Sequence, residues 1–156
     1  MHLHAGMDAP HFELADADME LFRLVEFQGK KNIVLYFYPK DDTPGCTMEA
    51  TEFSDLEESF AACDTLVVGI SRDDCISHAE FRDKYGLAVQ LLADTEGRIC
   101  KKYGVLQEKE VDGHKVQSIQ RSTFIINKQG KLQHVLYGVH AHKHPEEVLK
   151  LVKEMK

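Results

Sequence analysis

Hydrophobic and polar positions divide the chain into short runs of two different periods. Asn32 to Tyr38, NIVLYFY, is almost wholly apolar and rich in strand-favouring residues, the pattern of a strand covered on both faces as in a parallel α/β sheet. It is expected at the centre of the sheet. Thr65 to Ser71, TLVVGIS, and the shorter Val89 to Ala93 repeat the pattern. Between these runs the period lengthens: Ala50, Phe53, Leu56 and Phe60 recur at helical spacing, which predicts a helix from about Gly45 to Ala61. A second helix of about ten residues follows Arg72, Asp73 and Asp74, carries Phe81 and Tyr85 on one face and stops at Gly86. Asp94 reads as the cap of a short helix ending at Gly104. Ser122 to Ile126 and Leu132 to Tyr137 read as a hairpin around Lys128, Gln129 and Gly130. Pro145 to Met155 reads as the last helix, with proline in its first turn and Glu146 and Glu147 near its positive end. Upstream, Phe12 and Leu14 read as a short edge strand and Met19 to Phe22 as its hairpin partner. No internal repeat, low-complexity stretch or linker interrupts the order. The expected architecture is one α/β domain over residues 1–156, three layers deep around a central sheet.

Composition narrows the class without naming it. The 156 residues are 43% hydrophobic and 29% charged, enough for one sizeable core and too apolar for a disordered chain. Nineteen basic against 26 acidic residues leave a net charge of -7, which repels phosphate backbones, so nucleic acid is not expected as a partner. The longest apolar run, Ile33 to Tyr38, falls far short of the ~20 residues that cross a bilayer, so no membrane span is expected. The start, MHLHAGMDAP, has neither the basic residues nor the apolar stretch of a secretory signal, and a reducing cytoplasm is the expected compartment. Cys46, Cys63, Cys75 and Cys100 form no C-x-x-C pair and are too few for a disulfide scaffold. Most are expected to be small buried hydrophobes.

Cys46 is the exception. The segment Pro39 to Cys46, PKDDTPGC, leaves the C-terminal end of a buried strand and enters a helix, the usual place for an active site in an α/β sheet. In a first helical turn, unpaired N–H groups and the positive end of the helix dipole favour an anion such as a thiolate. Ionisation alone is a modest gain; an efficient thiol enzyme also stabilises charge that develops in its transition state. Thr43 stands three residues before Cys46, where its hydroxyl can reach the sulfur, while Pro39 and Pro44 stiffen the turn and Pro39 can shield one wall. No cation lies nearby in sequence. Arg121, immediately before the buried run Ser122 to Ile126, is the candidate, or else an ordinary solvated arginine. A cysteine phosphatase needs C-x5-R, but the sixth residue after Cys46 is Glu52. A cysteine protease needs a histidine base, which sequence alone does not bring to Cys46. A small neutral oxidant suits this loop better than a peptide.

YFYPKDDTPGCTMEA followed by RSTFIIN strongly resembles the peroxiredoxins, in the bacterioferritin comigratory protein or peroxiredoxin Q branch, and the likeness runs from Asp8 to the final helix. The resemblance implies a thioredoxin-like fold with a central mixed sheet and no cofactor. It implies a peroxidase in which Cys46 attacks the O–O bond of a hydroperoxide and becomes a sulfenic acid, with Thr43, Arg121 and the Cys46 N–H holding the peroxide and Pro39 in the signature. Glu49 is expected to support the arginine and threonine. The reductant would be thioredoxin or glutathione with glutaredoxin, and the branch is often monomeric. Where many relatives carry a resolving cysteine this chain has Thr51, and where another subgroup carries one it has Arg82. Cys75, whose loop should open on the same sheet edge as Cys46, ranks first as an internal resolver, ahead of Cys100 and Cys63; the alternative is direct reduction by an external thiol.

His140, His142 and His144 alternate before the last helix but are read as a loop on a solvated edge, and no metal is expected. His2 and His4 are read as an unordered terminus. A thioredoxin-fold binding or chaperone module with a structural Cys46 is the alternative class.

Overall fold

The computed structural model describes residues 2–155. In chain order the elements are β1 (Glu13–Asp16), β2 (Leu21–Arg23), β3 (Asn32–Phe37), α1 (Pro44–Asp55), α2 (Glu57–Ala61), β4 (Thr65–Ser71), α3 (Cys75–Tyr85), β5 (Gln90–Ala93), α4 (Arg98–Lys102), β6 (Leu106–Val111), β7 (His114–Ile119), β8 (Ser122–Ile126), β9 (Leu132–Leu136) and α5 (His144–Lys153). Seven strands form one mixed sheet in the order β2-β1-β5-β4-β3-β8-β9. β3, β4 and β5 run parallel, while β8 lies antiparallel to β3 and β1 antiparallel to β5.

The period of two along each strand separates two cores. From β3, Ile33, Leu35 and Phe37 enter one core while Val34 and Tyr36 enter the other; β8 divides Phe124 and Ile126 from Ile125 in the same way. The first core is covered by the N-terminal segment and α4, through Leu3, Phe12, Ile99 and Tyr103. The second is covered by α1, α2, α3 and α5, through Phe53, Phe60, Phe81 and Val148. A sheet buried on both faces has no room for alternating polar residues, which is why its strands read as continuous apolar runs.

Several expectations change. The middle place of the sheet belongs to β4, with β3 beside it. β1 is not an edge strand, since β5 pairs with it on the side away from β2. The helix expected from Gly45 to Ala61 is two helices: the Leu56 N–H is shared by the carbonyls of Glu52 and Phe53, a tightened turn that ends α1 and redirects the chain into α2. Asp94 lies three residues before the N-cap of α4, yet its carboxylate still accepts the N–H groups of Ile99 and Cys100. The hairpin of β6 and β7 is a new element. Both its faces are largely exposed, so it carries no apolar period; its signal was Asp112-Gly113, which turns with both residues at positive φ. His144 is buried rather than solvated, and its Nε2 meets the Thr123 hydroxyl at 2.8 Å. His2 stacks on Tyr137 with ring centroids 4.3 Å apart.

β4 carries a glycine in its centre because its parallel neighbour leaves no space for a side chain. Gly69 pairs with Tyr36, and a Cβ there would lie 2.7 Å from the tyrosine ring. Gly69→Ala is expected to lower stability by about 1–3 kcal/mol in denaturant unfolding, as overpacked cores do.

Candidate active site

β3 delivers the chain to the loop of Pro39 to Thr43, and Thr43, in extended conformation, occupies the N-cap position of α1 with Pro44 following. The Thr47 N–H donates to the Thr43 carbonyl at 2.8 Å, the first bond of the helix. The N–H groups ahead of it, that of Cys46 included, have no acceptor within the helix and carry its positive end. Cys46 is 2% exposed and packs beneath the helix end against the second core.

The cation comes from the far side of the sheet. Ser122 pairs with Phe37 at the end of the β3 and β8 ladder, so Arg121, one residue earlier, stands where the loop begins. Its Nη2 donates to Cys46 Sγ at 3.2 Å and its Nη1 to Glu49 Oε1 at 2.5 Å. Glu49 follows Cys46 by three residues on α1, one turn on and on the same face, so one planar guanidinium reaches both groups with adjacent nitrogens. Gly45 lies beside it, where a Cβ would be 3.4 Å from Arg121 Nη2, in ordinary contact. The arginine side chain is 16% exposed and that of Glu49 fully buried. Burial pushes the Glu49 carboxyl up to about 7 against the opposing pull of Arg121, with Glu52 adding to the rise. Its Oε2 has no hydrogen-bond partner among the described residues. Burial works against the charge of Arg121, but Glu49 and Cys46 outweigh it and hold the guanidinium above its ordinary value.

Thr43 donates its hydroxyl hydrogen to the Lys40 carbonyl at 2.9 Å, which leaves the oxygen lone pairs as acceptors. Pro39 is exposed at the rim of the loop. Burial lowers the pKa of His144, with Arg121 adding to the fall and Glu147 opposing it. Cys75 begins α3, and its thiol is raised by burial and by Asp16 and Asp74. Cys100 is fully buried, and burial drives its thiol far up. Cys63 lies beyond α2, and all four thiols are free.

No local pattern marks a second polar group beneath the loop. Asp41 is buried against Tyr38, Ser77 and His78. Two adjacent aspartates in a turn-rich stretch look alike in sequence, and only the packing of α3 against the loop separates their fates.

A mixed sheet with helices on both faces, and a thiol met by a guanidinium at a helix N-terminus, define a thioredoxin-fold thiol enzyme. Residues 5–135 match the AhpC/TSA family. The chain is 40% identical over 155 residues to the peroxiredoxin Bcp of Bacillus subtilis, covering 99% of this chain and 98% of that protein. It superposes on a crystal structure of a Xylella fastidiosa PrxQ mutant with a TM-score of 0.92 and 33% identity, covering 98% of this chain and 97% of the other. It superposes on the bacterioferritin comigratory protein of Xanthomonas campestris, a protein described with alkyl peroxide reduction activity, with a TM-score of 0.89 and 32% identity over 96% of this chain and 98% of that one. The chain belongs to the AhpC/TSA family, and within it is a peroxiredoxin of the Bcp and PrxQ kind, a peroxidase and oxidoreductase. No helix among the described residues is long and apolar enough to cross a membrane.

The position of Glu49 makes stability depend on pH. Its carboxyl titrates near 4.5 when exposed and near 7 when folded, so its contribution to stability is fully present below pH 4.5 and is lost as pH rises through 7. In Glu49→Gln that slope is absent. The unfolding free energy of the variant relative to the parent is expected to rise by on the order of 2–3 kcal/mol between pH 4.5 and pH 8, measured by chemical denaturation across the range.

Proposed function

We propose that Cys46 is the peroxide-reactive residue, that Thr43 and Arg121 hold the peroxide beside it, and that an external thiol, such as glutathione with glutaredoxin or thioredoxin, returns the enzyme to its reduced state. The observation that carries this reading is the Arg121 guanidinium in contact with both the Cys46 sulfur and the Glu49 carboxyl at the start of α1. The substrate is a hydroperoxide, hydrogen peroxide or an organic one, and the relative from Xanthomonas campestris is described with alkyl peroxide reduction activity.

The Cys46 thiolate attacks the terminal oxygen of R–O–O–H. The sulfur lone pair forms the S–O bond, the O–O bond breaks with its electron pair passing to the R–O oxygen, and that oxygen takes up a proton from solvent and departs as alcohol or water, leaving Cys46 as a sulfenic acid. Thr43, whose own hydrogen is engaged by Lys40, accepts the hydrogen of the attacked oxygen. Arg121 and the Cys46 N–H donate to the oxygen on which negative charge builds, the place where fixed donors accelerate most. Glu49 holds the guanidinium, and Pro39 holds the entry of the loop. The sulfenic acid then reacts with an external thiol to give a mixed disulfide and water, and a second thiol frees Cys46.

An external resolver fits the surroundings of Cys75. A resolving thiol attacks as thiolate, and burial together with Asp16 and Asp74 raises the Cys75 thiol and so works against that form. After one equivalent of hydrogen peroxide, mass spectrometry should find Cys46 as a sulfenic acid trappable by a small thiol or dimedone. An intramolecular disulfide between Cys46 and Cys75 would instead assign the internal route.

Cys46→Ser is expected to abolish peroxide consumption, and an active variant would refute the assignment. Arg121→Gln is expected to lower the second-order rate with peroxide by about 100-fold or more, as loss of a charge-stabilising donor does, with peroxide consumption as the measurement.

A further inference from the structure

The hydroxyl of Thr43 is oriented by a single peptide plane, that between Lys40 and Asp41, whose carbonyl accepts from Thr43 Oγ at 2.9 Å. The N–H of the same plane, on Asp41, donates to Asp73 Oδ2 at 2.8 Å. A trans peptide unit is rigid, with its C=O and N–H pointing in opposite directions, so the group that fixes one end fixes the other. Asp73 is itself held. Its Oδ2 also accepts from the Ser71 hydroxyl at 2.6 Å, and the Ser71 oxygen accepts from the Asp73 N–H at 3.1 Å. Ser71 is the last residue of β4 and fully buried.

The side chain of Asp41 locks the plane from a second direction. Its Oδ1 takes the Tyr38 hydroxyl at 2.6 Å, and its Oδ2 takes the Ser77 hydroxyl at 2.8 Å and faces His78 Nδ1 at 2.7 Å. The other ring nitrogen of His78 faces the Leu92 carbonyl of β5 at 2.9 Å, so the histidine ties the loop to the sheet. Asp42, in the left-handed region at φ 57°, binds Lys84 and Tyr85 at the far end of α3. Asp41, Asp73 and His78 also bring three potential ligand atoms within 4.8 Å of one another. Each is already engaged in this hydrogen-bond set, which accounts for the cluster without an ion.

We propose that Asp73 is a positioning residue for peroxide reduction, setting the Thr43 hydroxyl through the Lys40 and Asp41 peptide plane, with the Asp41 and His78 couple as its support. The proposal rests on the reading of Thr43 as the acceptor of the peroxide hydrogen. Asp73 touches no reacting atom, and its effect passes through Thr43 alone.

A double-mutant cycle tests this. The single-turnover rate of Cys46 oxidation by hydrogen peroxide is measured in the full chain for Asp73→Ala, Thr43→Val and the double variant. Asp73→Ala is expected to slow the parent about tenfold, the scale of one lost positioning hydrogen bond. In the Thr43→Val background the same change is expected to matter by less than about twofold, because the group it orients is gone. Asp73→Asn, which keeps an oxygen to accept from the Asp41 N–H, is expected to restore the rate to within about threefold. If Asp73→Ala does not fold, Asp73→Asn and Ser71→Ala carry the test in the two Thr43 backgrounds, with Ser71→Ala expected to slow only the background that has Thr43. An equal loss in both backgrounds, with Thr43→Val itself slow, would overturn the relay and leave the role of Thr43 standing. A Thr43→Val enzyme as fast as the parent would overturn both. An unimpaired Asp73→Ala enzyme, or an Asp73→Asn enzyme as slow as Asp73→Ala, would also overturn the relay.

Discussion

A guanidinium removed from water must be met by opposing charge, and Arg121 is met by two groups that lie one turn apart on α1. That contact joins the antiparallel side of the sheet, where β8 begins, to the helix that follows the parallel strand β3. Breaking either half leaves a buried charge without its partner, which is far more destabilising than leaving out the whole pair. Glu49 shows the tension directly: burial lifts its carboxyl to about 7 even with the arginine beside it. The site therefore stores an unfavourable burial in the place where it needs a fixed positive charge. The two cores, with their aromatic stacks such as Tyr36 on Phe53, supply the packing that makes such an arrangement tolerable.

The loop between β3 and α1 is held from three directions. Arg121 lies against Gly45, Asp73 binds the Asp41 amide, and α3 grips both Asp41 and Asp42. Short loops of this kind are ordinarily the mobile part of an α/β protein. Here main chain and side chains are tied to buried groups, so the hydroxyl of Thr43 and the sulfur of Cys46 are held in place by the fold. Preorganisation of this sort lets donors stabilise developing charge without reorganising at the moment of reaction. Cys46 is almost wholly enclosed by the same packing.

The run NIVLYFY announced a doubly covered strand, and the alternation of its side chains between two cores is what that pattern means. The loop PKDDTPGC announced a thiol at a helix start. Arg121 was legible as a candidate only because it precedes a buried strand, since nothing local distinguishes it from a surface arginine. The hairpin of β6 and β7 escaped because a ribbon exposed on both faces has no hydrophobic period to read. His144 escaped because a histidine that follows two exposed ones at alternate positions looks like them until Thr123 is placed against it.

What the sequence determined by itself is local: the strands, most helix positions and the helix start at Cys46. These follow from side-chain period, turn chemistry and spacing, which are properties of neighbouring residues. The tertiary structure alone decided which distant residues meet. It set Arg121 against Cys46 and Glu49, 75 and 72 positions away, and Asp73 against the amide of Asp41, 32 positions away. The physical reason is that strand order and register, which bring these groups together, are set by the burial of two whole cores.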